Sequence, residues 1–194
     1  MFRRALIILT LTVLTIPAAR AAKWQLDKAH SSIGFSVKHM VISSTTGTFA
    51  DFDGFVEFDG EKAAGGKVEV TARMASVNTD DEKRDEHLRG GDFFDVDKFP
   101  TMNFTSKKVI AGEGSEFKLV GDLTIKGITQ EVTFDCEFNG VVTDPWGNTK
   151  AGFSASAKIN RQDFGVSWSK TLDSGGLVVG DEVKISIEIE AARM

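Results

Sequence analysis

Three histidines are the residues in this chain best equipped for chemistry: His30, His39 and His87. Three imidazoles and a water would make a catalytic zinc site, and a single imidazole within reach of a carboxylate would serve as a general base. Their spacing works against a shared centre. His30 and His39 bracket an alternating segment, and nine extended residues span roughly 30 Å, so the two meet only if the chain turns sharply between them. Cys136 is the one thiol. It falls on the apolar side of its strand pattern, where burial raises a thiol's pKa and makes it inert, and alone it forms no internal disulfide. Asp51, Asp53, Glu57 and Asp59 alternate along a strand and lack the ligand order of a calcium loop. Asp95 and Asp97 would supply the carboxylate pair of a glycoside hydrolase, but nothing around them selects them over ordinary surface acids. The catalytic reading that survives is a secreted metal- or carboxylate-dependent hydrolase using His30, His39 or His87.

The elements that would have to hold such groups are strands. Period-two alternation turns successive side chains to opposite faces, and it recurs along the chain. Ile33, Phe35 and Val37 alternate with Ser32, Ser36 and Lys38; Phe52, Val56 and Phe58 alternate with the acids just named. Val68, Val70, Ala72 and Met74 come next in the chain, then Met102 and Phe104, then Phe117, Leu119, Leu123 and Ile125. Val132, Phe134, Cys136 and Phe138 precede Ala151, Phe153, Ala155, Ala157 and Ile159, and Val183, Ile185, Ile187 and Ile189 close the series. Asp59-Gly60, Gly65-Gly66, Gly112 to Gly114, Lys126-Gly127, Asp144 to Gly147 and Gly175-Gly176 separate the runs as turn signals. The pattern predicts an all-β domain of about eight antiparallel strands, each with one apolar face. Several runs exceed the usual five or six residues, which favours a closed barrel over a sandwich.

One segment breaks the alternation. DDEKRDEHLRGGDFFDVDKFP, from Asp80 to Pro100, predicts one short helix near residues 80–89. Thr79 with Glu82 fits a capping box, and Gly90 fits the position after the last turn. Leu88 is almost the only apolar residue in it, so the helix must be pinned by the aromatic stretch on its C-terminal side, with Phe93, Phe94 and Phe99 as anchors across one end of the barrel.

The N-terminus reads as an export signal. Arg3 and Arg4 precede an apolar run from Ala5 to Ile16, too short to span a bilayer, and Ala19-Arg20-Ala21 has the small-x-small form of a cleavage site. The expectation is a leader over residues 1–21, cut after Ala21, and a mature periplasmic domain over residues 22–194 with no stable membrane insertion. The 194 residues carry 23 basic and 28 acidic side chains, a formal net charge of −5. Losing three leader arginines makes the mature chain more acidic, which argues against nucleic acid or anionic lipid headgroups as extended partners.

Aromatic usage is lopsided: 15 phenylalanines and no tyrosine. Phenylalanine on inward faces is ordinary core material. A barrel of this size is also wide enough to hold a ligand, and Ala72, Ala151, Ala155, Ala157, Gly34 and Gly152 leave inward volume unfilled. Large rings on some walls and small residues on others describe a slot.

Four long motifs stand in order: WQLDKAHSSIGFSVKHM, TDDEKRDEHLRGGDFFDVDKFPTMNFTS, GDLTIKGITQEVTF and INRQDFGVSW. Over essentially the whole mature length the chain resembles the YceI-like family. That resemblance implies an exported lipocalin-like β-barrel with no catalytic activity and no cofactor, binding a long isoprenoid or similar amphiphilic lipid in its interior. It places Trp24, Asp27, His30, Ser31, Phe35 and His39 in the first strands, Arg84, Asp85, His87 and Leu88 in the helix, and Asn160, Arg161, Asp163, Phe164 and Gly165 in the late motif. The lining expected for the lipid is Phe35, Val37, His39, Phe52, Val56, Phe104, Leu119, Phe134, Phe153 and Ala155. The segment VISSTTGTFADF lacks a basic residue that relatives often carry near its glycine, so a neutral headgroup such as a quinone is expected over a pyrophosphate. A homodimer is a partner that the resemblance allows.

Overall fold

The computed structural model describes residues 21–60, 66–173 and 175–194. Except for Ala21, the leader expected over residues 1–21 lies outside them. Among the described residues eleven strands form one sheet: β1 (Ala22–Leu26), β2 (Ser32–His39), β3 (Ser43–Phe49), β4 (Phe52–Phe58), β5 (Lys67–Arg73), β6 (Val77–Asn78), β7 (Thr101–Ala111), β8 (Glu116–Ile125), β9 (Ile128–Thr143), β10 (Thr149–Asn160) and β11 (Val179–Arg193). Every pairing is antiparallel.

Six of the eleven are halves of bent staves. β1 runs into β2 through a single 3-10 turn, Lys28–His30, and both halves pair with β11: Leu26 opposite Ala191, Ser32 opposite Glu188. β3 runs into β4 through Ala50 and Asp51, and β5 into β6 through a 3-10 turn at Met74–Ser76. The lower halves pair as β1–β4–β5 and the upper halves as β2–β3–β6. The breaks adjoin one another, since Ala50 N–H donates to the Ser76 carbonyl and Arg73 N–H to the Asp51 carbonyl. Counted as staves, the sheet is a closed eight-stranded antiparallel barrel with a corner across three neighbours. Closure removes the unpaired edges that an open sheet would expose.

β3 escapes the alternation count because Ser43, Ser44, Thr45, Thr46 and Thr48 are polar. Its register is held from outside itself, by β2 on one side (Phe35 opposite Gly47) and β6 on the other. Gly47 is required there. A Cβ on it would sit 2.5 Å from the Phe35 ring and 2.7 Å from the Thr79 methyl, so the glycine lets Phe35 lie flat along the wall.

The one α-helix among the described residues, α1, spans Glu82–Arg89. Its cap differs from the expected box. Asp80 takes a left-handed φ of 61°, and the chain re-enters so that Asp81 is the N-cap, accepting from the Arg84 N–H at 3.0 Å. Thr79 is instead buried, donating its N–H and hydroxyl to Asp85 Oδ1 at 2.9 and 2.5 Å. Arg84 donates back to the Thr79 hydroxyl and carbonyl, and Arg89 donates to the carbonyls of Ala75 and Val77. The polar helix is therefore hung from the β5–β6 corner by hydrogen bonds, with Asp85 as its buried residue. Gly90 ends it with φ −70°, so a left-handed backbone is not the reason for glycine at that position.

Candidate binding cavity

The interior of the barrel is filled at one end and hollow towards the other. At the filled end Trp24 stacks on Phe58 with centroids 4.8 Å apart, and Phe58, Phe138 and Phe153 meet at 5.3 to 5.8 Å. Ala151 and Ala191, 1% and 0% exposed, are small enough to let these rings converge. Above this floor lie two chambers. The inner one, of about 120 Å³, is walled by Val56, Phe104, Leu119, Phe134, Phe153 and Ala155, among others. The outer one, of about 280 Å³, reaches from Phe35 and Val37 to the underside of α1. Ile33, Met102 and Ile185 border both chambers and form the waist between them.

The inward residues of β11 show why this space exists. Ile185, Ile187 and Ile189 point inside yet remain only half-buried, because no side chain opposite reaches them. The walls are carbon almost throughout. Cys136, on the inner chamber, is no exception: burial pushes its thiol up to about 12 against a hydrogen bond with the Leu119 backbone, and it makes a long contact to the Phe134 carbonyl.

Polar side chains collect around the outer chamber. His39, Thr45, Arg84, His87 and Arg161 border it. Arg161 is 5% exposed and is fully occupied. It donates to the carbonyls of Val166, Trp168, Val179 and Gly180 and to Asp181 Oδ1 at 3.1 Å. Burial lowers its pKa, with Asp181 opposing the shift. These bonds fold the Gly165–Trp168 loop against the start of β11. His87 pairs with Asp92 at 3.0 Å and sits edge-on to both Phe93 and Trp168, with centroids 5.0 and 5.1 Å away. Phe93 and Trp168 touch at 5.2 Å. The three rings make a roof over the chamber, and Phe94 continues it by meeting Phe49 at 6.0 Å. Phe99 packs outside that roof, over the β8–β9 turn, where a Cβ on Gly127 would lie 2.7 Å from its ring.

Each residue named from the sequence now has a place. Phe35, Val37 and His39 border the outer chamber; Val56, Phe104, Leu119, Phe134, Phe153 and Ala155 border the inner one. Phe52 borders neither and is packed at 3% exposure beneath the corner. Gly34 and Gly152 alternate to the outward side of their strands with Ser36 and Ser154 and do not widen the slot, although the Gly34 backbone touches the outer chamber. Trp168, Met74 and Ile125, which border the outer chamber, are absent from the expected lining. Trp168 sits in a loop with no periodicity, and only the fold around Arg161 aims it inward.

The histidines do not converge. His87 and His39 border the outer chamber, whereas His30 lies in the turn before β2, away from it. Among the described residues, one group has the reach to hold a cation: Asp27, His30 and Glu190, with ligand atoms within 4.8 Å of one another. The Lys150 ammonium already sits there, 2.6 Å from Asp27 and 3.0 Å from Glu190. That ammonium, together with His30, holds the Asp27 carboxyl well below the usual carboxylate range. The cluster ties the β1–β2 kink to β10 and β11.

A closed antiparallel barrel whose staves enclose a roofed apolar hollow is the architecture of a small-ligand-binding protein. Residues 24–191 match the model of the YceI-like domain, and the chain belongs to that family. The chain is 43% identical over 165 residues to a UPF0312 protein of Staphylococcus aureus strain MSSA476, covering 84% of this chain and 94% of the relative. Among solved structures it is similar to the Campylobacter jejuni YCEI protein, with 38% identity, a TM-score of 0.71, and 87% and 96% of the two chains covered. It also shares its fold with a polyisoprenoid binding domain from Saccharophagus degradans implicated in plant cell wall breakdown, at 13% identity and a TM-score of 0.66 over 88% and 98% of the two chains. No helix among the described residues is long and apolar enough to cross a membrane.

Proposed function

We propose that this chain is an exported, periplasmic binding protein that carries or sequesters a long-chain isoprenoid or similar lipid, its tail running through both chambers. One observation carries this reading. The two chambers are stacked along the barrel axis, share the Ile33–Met102–Ile185 waist, and keep their polar groups near the outer end. A compact polar substrate would find nothing to bond to at depth, whereas an extended hydrocarbon matches the shape. The polyisoprenoid binding domain of the same fold supports the same class of ligand. Each buried methylene is worth about 0.8 kcal/mol relative to water, and a five-carbon isoprene unit about 3 to 4 kcal/mol. Exchange with a bilayer is close to neutral on that scale, so chamber length and shape select the tail.

The headgroup we infer is neutral, such as a quinone. Arg161 has its donors committed to carbonyls and Asp181, and Arg84 is tied to Thr79. His39 and His87 remain as hydrogen-bonding partners for a carbonyl oxygen, and among the described residues Lys38 is the single lining cation left uncommitted, one charge against the several of a pyrophosphate. The test is native mass spectrometry of the exported protein, followed by solvent extraction and metal analysis in parallel. The expected result is stoichiometric lipid with a neutral headgroup. Stoichiometric metal without lipid would replace this reading with the hydrolase, and a pyrophosphate lipid would overturn the headgroup assignment alone.

A further inference from the structure

Scattered apolar side chains are normal on a soluble surface, but a contiguous group of them marks a contact. Two tips of this barrel expose large apolar residues, and they differ. At the β9–β10 turn Trp146 is 85% exposed but lacks a patch: Val141 and Val142 are consecutive on β9 and point to opposite faces. At the β2–β3 turn Met40, Val41 and Ile42 come one after another off the end of β2, with Val41 67% and Ile42 83% exposed. A second hairpin joins them. Met40 N–H donates to the Val178 carbonyl at 2.9 Å, and Val178 N–H to the Lys170 carbonyl at 2.8 Å. Gly176 is so close that a Cβ on it would lie 3.0 Å from Val41 Cγ2. Leu177, itself exposed, extends the patch.

The backbone holds these side chains out against its own preference. Met40 and Val41 have φ of 49° and 68°, the left-handed region that is unfavourable for any residue with a Cβ and worst for a β-branched one. A glycine would relax the turn, yet two apolar side chains occupy it. Position matters as much as exposure. His39, one residue back, and Val178 and Val179 opposite border the outer chamber, so the patch is the rim of its mouth. Lys38 and Lys170 flank the rim, and neither is ion-paired among the described residues, although the chain as a whole is acidic. Lysine stems lie along apolar surface while the ammonium reaches polar groups. An aliphatic tip edged by free cations on an acidic protein matches a bilayer surface bearing anionic headgroups.

We propose that the Met40–Ile42 turn, with Leu177, is a membrane-docking rim that dips into the boundary between headgroups and acyl chains and sets the outer chamber against the bilayer. This rests on the lipid-binding reading and adds the route: a tail moves between bilayer and chamber without crossing water. Co-flotation of the mature chain with vesicles of phosphatidylethanolamine and phosphatidylglycerol tests it without any cargo. Wild-type protein is expected to float with the vesicles at low salt and less at high salt. Val41→Asp with Ile42→Asp should lower the bound fraction about tenfold or more, while Trp146→Ser, at the other tip, floats like wild type. Both turns are exposed, so Trp146→Ser should melt like the parent, and the aspartate pair should melt no lower, since aspartate tolerates the left-handed backbone at position 41 better than valine does.

Wild-type protein that stays unbound, or a double variant that floats equally well, overturns the proposal. So does loss of flotation in Trp146→Ser alone. A dimer that depends on the patch and forms without vesicle binding assigns the rim to a second copy and overturns it too. The two readings fail separately: an empty solvent extract removes the cargo, whereas a lipid-loaded chain that does not float removes only the docking rim.

Discussion

Trp24 and Phe35 lie on the two halves of one bent stave, both on its inward face, and their surroundings differ. Trp24 is 1% exposed and clamped against Phe58. Phe35 is half-buried and borders an empty chamber. β11 repeats the contrast within a single unbroken strand: Ala191 is 0% exposed, while Ile185 and Ile187 face inward and keep part of their surface. Alternation therefore sorts inside from outside and says nothing about whether the inside is full. At the floor, four large rings from different staves arrive at one height beside two alanines, and they close the space. Beyond the corner the rings of Phe35, Phe49 and Phe94 run along the wall and roof, 5.7 and 6.0 Å from one another, and the middle stays open.

The largest effect should come from breaking the floor. Phe58→Ala removes a ring that touches three others and is expected to cost about 3 to 5 kcal/mol, read as a shift in the urea midpoint at constant slope. Phe35→Ala, which already borders empty space, should cost about 1 kcal/mol or less on the same scale. Equal costs would erase the distinction between the two ends.

Next is the group that holds the roof loop. Arg161→Met leaves the carbonyls of Val166, Trp168 and Gly180 without the guanidinium donor, while Val179 keeps the Ser169 hydroxyl, and buried unsatisfied acceptors cost about 1 to 3 kcal/mol each where water does not reach them. A net loss of about 3 kcal/mol is expected from denaturation curves, since some of these carbonyls will find water. A loss below about 1 kcal/mol would mean that the roof is held by its rings instead.

Filling the hollow should damage binding more than folding. Ala155→Trp places a large ring in the inner chamber, with an overpacking cost of about 1 to 3 kcal/mol. Lipid recovered by solvent extraction should fall sharply while the variant still melts cooperatively. A folded variant with full lipid content would show that the tail stops at the waist.

The smallest effect belongs to the cluster at the β1–β2 kink. The Lys150 ammonium and His30 hold the folded-state pKa of Asp27 below its unfolded value of about 3.9. A depressed carboxyl contributes stability that is fully present above that unfolded value and is lost as the pH falls through the folded one. Asp27→Asn should therefore cost about 1 kcal/mol near neutral pH, the scale of a partly exposed ion pair. The gap from wild type should narrow progressively below about pH 4. Melting temperatures of the two proteins across that range check the sign, and a gap that widens in acid would refute it.

Much of this molecule is legible along the chain because strand pleating is local: a backbone in the β region must alternate its side chains. That is why alternation places Val56, Phe104, Phe134 and Phe153 inside correctly, and why Cys136 reads as buried. β3 escapes it for a complementary reason. Its serines and threonines carry no apolar rhythm, and its place is imposed by β2 and β6. The capping box fails at Thr79 because a tertiary bond to Asp85 claims that side chain, leaving the cap to Asp81.

By itself, then, the sequence determined an all-β barrel of about eight staves, one short polar helix, an apolar interior and a family. Each of these rests on side-chain periodicity, turn residues or motif order, and none needs a distant partner. The tertiary structure alone decided that six strand segments pair up as three bent staves and that Phe52 is packed while Phe35 borders a cavity. It also decided that Lys150 sits among Asp27, His30 and Glu190, and that Arg161 aims Trp168 over the chamber. Those outcomes depend on which side chains from different staves reach the same height, and that is set by register and shear around a closed ring, quantities that no single strand carries.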